Sequence, residues 1–260
     1  MYVRRNLSAA AIAAGVALFA AGCNESRDTG AVTTKTAEGT STAPGAEAVE
    51  ERDNALVRVV HAIPGANASI YAGDSLAFSN LGYKSVTDFQ EMPDDYFGFK
   101  VVPAGGSADN PIGENREKLS NGGHYTIIAM PDEGADGKAN LRVLDDELKP
   151  LTDGKARIRV VHAVAGAGEI DVFARGQDEP LFDDVNFKSE AGWEEVDPFT
   201  GTIEIRKDDT NTVLASVKGA KIEAGKSYTY VVTGQGGKLD VIAFQDAVAV
   251  DTSSGTTSRR

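Results

Sequence analysis

Between about Leu56 and Asp246 the chain alternates apolar and polar residues in short runs. The runs stop at turn-forming clusters such as "PDD", "PAGGSADN", "GADGKAN" and "RKDDTN". A period of two places successive side chains on opposite faces of an extended strand. In the first run Val57, Val59 and His61 therefore share one face, and Leu56, Arg58, Val60 and Ala62 share the other. Glycine supplies left-handed backbone, and Asp, Asn and Pro supply the bends that fold such runs back on one another. Helical spacing of apolar residues is nowhere sustained in this region, which argues against a parallel sheet wrapped in helices. The pattern predicts an all-β fold of short antiparallel strands.

The pattern also occurs twice. "VRVVHA" at Val57 to Ala62 returns as "IRVVHA" at Ile158 to Ala163, "FSNLGYKS" at Phe78 to Ser85 as "FDDVNFKS" at Phe182 to Ser189, and "KLSNGGHYTIIAM" at Lys118 to Met130 as "KIEAGKSYTYVVT" at Lys221 to Thr233. Similarity that recurs at a nearly fixed spacing is the mark of a duplicated unit, with insertions confined to loops. Each copy spans about 95 residues, the size of an immunoglobulin-like sandwich. Two tandem immunoglobulin-like antiparallel β-sandwich domains are expected, at residues 55–150 and 155–250. Within them "LSNGGHYTI" and "IEAGKSYTY" resemble the turn and tyrosine that open a late strand in such sandwiches. That resemblance implies that the hydroxyls of Tyr125 and Tyr228 fix a corner by bonding upstream backbone.

The flanks differ from these repeats. "MYVRRNLSAAAIAAGVALFAAGC" carries Arg4 and Arg5, then an apolar run from Leu7 to Gly22 that is shorter than the ~20 residues of a spanning helix. Its end, "LFAAGC", resembles the lipobox of bacterial lipoproteins, although Ala20 stands where that pattern most often has Leu. The resemblance implies a signal peptide at 1–22 and a diacylglyceryl group on Cys23, the one cysteine of the chain. An ordinary secretory signal cleaved nearby is the alternative. Asn24 follows, where Asp would signal inner-membrane retention, so the outer membrane is the preferred destination; the membrane face is open. Residues 23–54 are rich in Thr, Ala, Gly and Glu and lack aromatics. They are expected to form a flexible tether, which at about 30 residues averages about 30 Å end to end. The polar tail 251–260 is expected to fray. A net charge of −13 without a basic patch disfavours nucleic acid as a partner.

Candidate chemistry is sparse. His61 and His162 end their strands on an aliphatic face, where a neutral imidazole can bond a loop carbonyl. A metal site would need more ligands than His124, the remaining histidine, supplies. They read as structural, and neither a metal nor another cofactor is expected. "GAKIEAGKS" has the wrong glycine spacing for a phosphate loop and leads into a strand. The pairs Asp145–Asp146, Asp183–Asp184 and Glu194–Glu195 are adjacent, so on a strand they diverge; they read as solvated loop charges rather than the convergent acids of a glycosidase. Oxygen-rich turns at Pro131 to Asn140 and Arg206 to Asn211 could hold calcium but read first as turn chemistry. Trp193 and Phe199 could form a sugar-stacking surface, core packing being the commoner fate of such residues.

"VRVVHAIPGA", "IRVVHAVAGAGEIDVFARG" and "EAGKSYTYVV" resemble the bacterial family labelled domain of unknown function 4397. Its members are exported, often lipid-anchored, β-rich modules without established catalytic residues. The resemblance spans both copies, and copy one lacks the Asp that copy two has at Asp171. It implies a lipid-anchored envelope protein, not an enzyme, with a binding, adhesion or structural role and an envelope glycan or protein as partner. The alternatives are an envelope glycan hydrolase with carboxylates between the modules and a calcium-dependent adhesion module.

Overall fold

The computed structural model describes residues 53–65, 67–134, 137–146, 149–235 and 237–246. The signal segment 1–22, Cys23, the tether as far as residue 52 and the tail 251–260 lie outside the described residues. The first module contains β1 (Asn54–His61), β2 (Ala68–Ala72), β3 (Ser75–Leu81), β4 (Gln90–Pro93), β5 (Tyr96–Pro103), β6 (Gly113–Lys118), β7 (His124–Pro131) and β8 (Ala139–Asp145). The second contains β9 (Ala156–His162), β10 (Ile170–Ala174), β11 (Phe182–Val185), β12 (Glu190–Val196), β13 (Phe199–Lys207), β14 (Val213–Ile222), β15 (Ser227–Gln235) and β16 (Lys238–Asp246).

Each module is a sandwich of two four-stranded sheets, in the orders β4-β1-β7-β8 and β3-β2-β5-β6 for the first and β12-β9-β15-β16 and β11-β10-β13-β14 for the second. The orders correspond strand for strand, so the duplication extends to topology. Most neighbours are antiparallel, but β1 runs parallel to β7 and β9 to β15. A parallel pair needs a long crossover, and here the intervening strands, four of which build the opposite sheet, provide it.

Alternation sorts the side chains as the sequence predicts. Val57 and Val59 of β1 meet Ile127 of β7, Ile70 and Phe99 in one core, while Ile158 and Val160 of β9 meet Val232 of β15, Ile170 and Ile205 in the other. Each fully buried aliphatic side chain contributes about 1.5–3 kcal/mol. A third cluster lies between the modules: Val60, Ala62, Ile128, Met130 and Leu144 pack against Val161, Ala163, Val231 and Ile242. Strands β1 and β9 are thus buried on both faces. That is the physical reason the same strand is written twice: its inner face fits a sandwich core and its outer face fits the other module.

Candidate functional site

Between Val57 and Val59 the outer face of β1 carries Arg58, and between Ile158 and Val160 that of β9 carries Arg159. Both arginines are buried in the seam, 4% and 0% exposed. An uncompensated guanidinium there would be prohibitive, so each must find acceptors. Arg58 Nε donates to Thr126 Oγ1 at 2.9 Å, and Arg159 Nε donates to Thr229 Oγ1 at 2.8 Å. Each guanidinium then crosses the seam: Arg58 pairs with Asp246, and Arg159 pairs with Asp146. Longer contacts of 3.5 Å join Arg58 to Asp146 and Arg159 to Asp246. The threonine hydroxyls complete the circuit, donating to Asp146 Oδ2 at 2.6 Å and to Asp246 Oδ2 at 2.7 Å. Exchanging the modules maps this set of residues onto itself. Burial pushes the Asp246 carboxyl above its ordinary value, and the two guanidinium groups pull it back.

Aromatic rings close the network. Arg58 lies 4.7 Å from the Phe89 ring centroid and 4.5 Å from that of Phe244, which comes from the other module. Trp193 covers Arg159 at 4.3 Å and Arg157 at 5.0 Å. Around the rim Lys84 pairs with Asp240, and Lys188 Nζ donates to Asp132 at 2.6 Å, each bond joining one module to the other. The Lys188 ammonium holds the Asp132 carboxyl below its ordinary value.

Beside this network a groove of about 540 Å³ opens between the modules. Module one lines it with His124, Asp145 and Asp146, and module two with Glu190 and Trp193. Glu190 lies 3.6 Å from Arg159 and 3.9 Å from Arg142. Asp146 and Glu190 of this groove thus face guanidinium groups. The expectation that Asp145 and Asp146 are both solvated loop charges is corrected: Asp146 is 6% exposed, because the seam needs an anion against two arginines. Trp193 and Phe199 do not form one surface either. Phe199 packs on the second core and lines a separate groove with Pro180, Leu181 and Pro198.

The histidines occupy equivalent places with different surroundings. His162 Nε2 bonds the Gly168 carbonyl at 2.8 Å, and its Nδ1 accepts from Val164 N–H at 3.2 Å. His61 is fully buried, and among the described residues neither of its ring nitrogens has a partner. Burial lowers the pKa of both. Tyr125 accepts from Ser120 N–H at 3.1 Å and Tyr228 from Glu223 N–H at 3.2 Å, each five residues upstream. The turns between hold Gly122 and Gly225 at φ of 72° and 74°, left-handed backbone that favours glycine. His124 Nδ1 lies 3.2 Å from the Gly122 carbonyl, away from the other two histidines' strand ends.

At one end of module two the oxygen-rich turn Arg206 to Asn211 meets β10 and β11. Two overlapping groups, Asp171, Asp183 and Asp184, and Glu169, Asp184 and Asp208, have carboxylate oxygens within 4.8 Å of one another. Asp171 is spoken for by the N–H groups of Asp184 and Asp209, each at 3.2 Å. In module one Ser69 takes the corresponding place and accepts from Asn80 N–H at 3.0 Å. Burial first, then the bond to Asp184 and the charges of Asp209 and Asp171, push the Asp208 carboxyl up to about 6.

Sequence reasoning missed Arg58, Arg159, Thr126, Thr229 and Asp246 as a set, and with them the role of Asp146. Their signal was the repeat itself, which keeps an arginine inside "RVVHA", a threonine after the corner tyrosine and an aspartate at or just past the end of the last strand in both copies.

No curated protein matches the chain. Among solved structures, the C-terminal domain of AlgF from P. aeruginosa is 22% identical with a TM-score of 0.31, covering 36% of this chain and 99% of that one. A "putative cell adhesion protein" from Bacteroides uniformis is 8% identical with a TM-score of 0.22, covering 75% and 97%. Another so described, from Bacteroides fragilis, is 10% identical with a TM-score of 0.21, covering 82% and 93%. The model of the domain of unknown function DUF4397 matches residues 55–173 and 156–259. With both modules matched, over a stretch that carries every strand but the first residue of β1, the chain belongs to the DUF4397 family.

Proposed function

We propose that this is a lipid-anchored cell-envelope protein that binds an envelope component without catalysing a reaction. The observation that carries the reading is the seam. Four buried charges, two threonines and an apolar cluster are spent on fixing one module against the other. A fixed pair of modules presents a composite surface that neither has alone, which is what a binding head requires. Asp146 and Glu190 in the seam groove are engaged by arginines, whereas a glycosidase needs one acid that keeps its proton and a second that is unencumbered. Attachment rests on "LFAAGC": Cys23 carries the acyl chains and the residues after it form the tether. The outer membrane is the destination, on the strength of Asn24.

The test is retention on purified envelopes. The unmodified chain should take up palmitate label, and the chain with Cys23→Ala should lose that label and still be retained on envelopes when added as soluble protein. An unmodified chain that takes up no palmitate sinks the anchor, and a soluble chain that envelopes do not retain sinks the binding role. Running the retention with calcium and with a chelator separates the calcium-dependent version, which requires the acidic cluster of module two to be filled.

A further inference from the structure

We infer that the groove between the modules is a binding site for a neutral saccharide. The inference deepens the binding role proposed above and rests on it. The groove exists only because the modules are locked, since its walls come from both. Its volume, about 540 Å³, lies within the range of small-ligand sites.

Trp193 is half-buried and lines the groove while its ring is carried by Arg157 and Arg159. Those arginines are two apart on β9, so they project from the same face of the strand and the ring lies across both. This holds the indole rigidly as a platform for the C–H face of a pyranose ring. Glu190 supplies the acceptor beside it. A carboxylate has about four lone-pair positions, and contacts of 3.6 Å to Arg159 and 3.9 Å to Arg142 leave some of those on Glu190 open to ligand hydroxyls. Short O–H···O⁻ bonds of this kind are among the stronger hydrogen bonds.

Charge decides the class. Asp146, Asp246 and Glu190 are balanced by Arg58, Arg159 and Arg142, so a cationic ligand would meet guanidinium groups already in place. An anionic ligand would meet the carboxylates, Asp145 among them. A neutral, hydroxyl-rich ligand is the one that gains from acceptors and platform together. Gly192 provides a control: it lines the groove, and apart from its two chain neighbours a side chain built there would meet nothing within 4 Å.

Trp193 is the one tryptophan of the chain, so its emission reports from this groove alone. The full-length chain is titrated with neutral oligosaccharides of gluco-, galacto-, manno- and N-acetylhexosamine type, and with tetragalacturonate and spermine as charged probes. At least one neutral oligosaccharide should change the emission saturably. Gly192→Val should weaken that binding at least tenfold with an unchanged melting curve, and Trp193→Phe, followed by calorimetry, should weaken it only a few-fold. Emission that answers only charged probes, emission that answers none, or neutral-sugar binding unaffected by Gly192→Val would each overturn the inference. If Gly192→Val is retained on envelopes as well as the unmodified chain, the saccharide groove is refuted while the envelope-binding role stands. If the unmodified chain is not retained, that wider role has failed.

Discussion

His61 and His162 fill the same place in two copies of one strand, yet among the described residues only the His162 ring has hydrogen bonds to lose. Replacing it with Leu strands the Gly168 carbonyl and the Val164 N–H, which should cost about 1–3 kcal/mol. His61→Leu removes an imidazole whose nitrogens have no partner among the described residues and should cost less than about 1 kcal/mol, read from urea midpoints. Both imidazoles have folded pKa values lowered below 6.5, so the unfolded chain takes up protons first. Their contribution is complete above pH 6.5 and is lost as pH falls below it, and His61→Leu should flatten that acid limb. Asp208 works in the other direction. Its folded carboxyl, pushed up to about 6, is above the ordinary 3.8, so it costs stability as pH rises from 3.8 through about 6. Asp208→Asn should therefore raise the melting temperature at pH 7 and make no difference near pH 3. A melting temperature that falls at pH 7 would mean that Asp208 has a favourable partner instead.

At the scale of the strand, the corner tyrosines tie β7 and β15 to the turns before them. Tyr125→Phe and Tyr228→Phe each remove one bond to a backbone N–H and should lower stability by about 1 kcal/mol each, measured by denaturant unfolding. The two losses should add, since each tyrosine belongs to its own module. These strands, their turns and the corner residues were legible because each depends on neighbours in sequence: a period of two, glycine at positive φ, a tyrosine a few residues after a turn. The seam was harder to read. Alternation says that β1 has two faces, but not what covers the second one. Arg58 in the middle of "VRVVHA" reads as the polar side of a half-exposed strand, and Asp146, just past β8, reads as a loop charge. Only the pairing of Arg58 with Asp246, residues far apart in the chain, changes both assignments, and no local pattern encodes that distance. The groove failed to appear for the same reason, since Trp193 and Asp146 become neighbours only through the seam.

Across the whole molecule, the seam sets two contributions against each other. The apolar cluster of Val60, Ile128, Met130, Val161, Val231 and Ile242 holds the modules together through burial, in amounts set by area and indifferent to rotation. The crossed Arg58–Asp246 and Arg159–Asp146 pairs bond only in one arrangement, but their desolvation offsets much of their attraction, as the raised Asp246 carboxyl indicates. Stability and registry therefore come from different groups, and a mutant cycle separates them. Arg58→Leu leaves Asp246 with Arg159 at 3.5 Å as its remaining guanidinium partner and should destabilise the chain by about 3–5 kcal/mol. Arg58→Leu with Asp246→Leu removes both charges and should recover most of that loss, or exceed the original stability. The recovered double variant keeps the apolar seam but has lost half of what fixes its angle. Its Trp193 emission should broaden and shift to the red while its melting temperature stays near that of the unmodified chain. A double variant as unstable as Arg58→Leu alone would show that the ion pairs hold the modules together by net attraction. Unchanged emission in a stable double variant would show that apolar packing alone sets the groove.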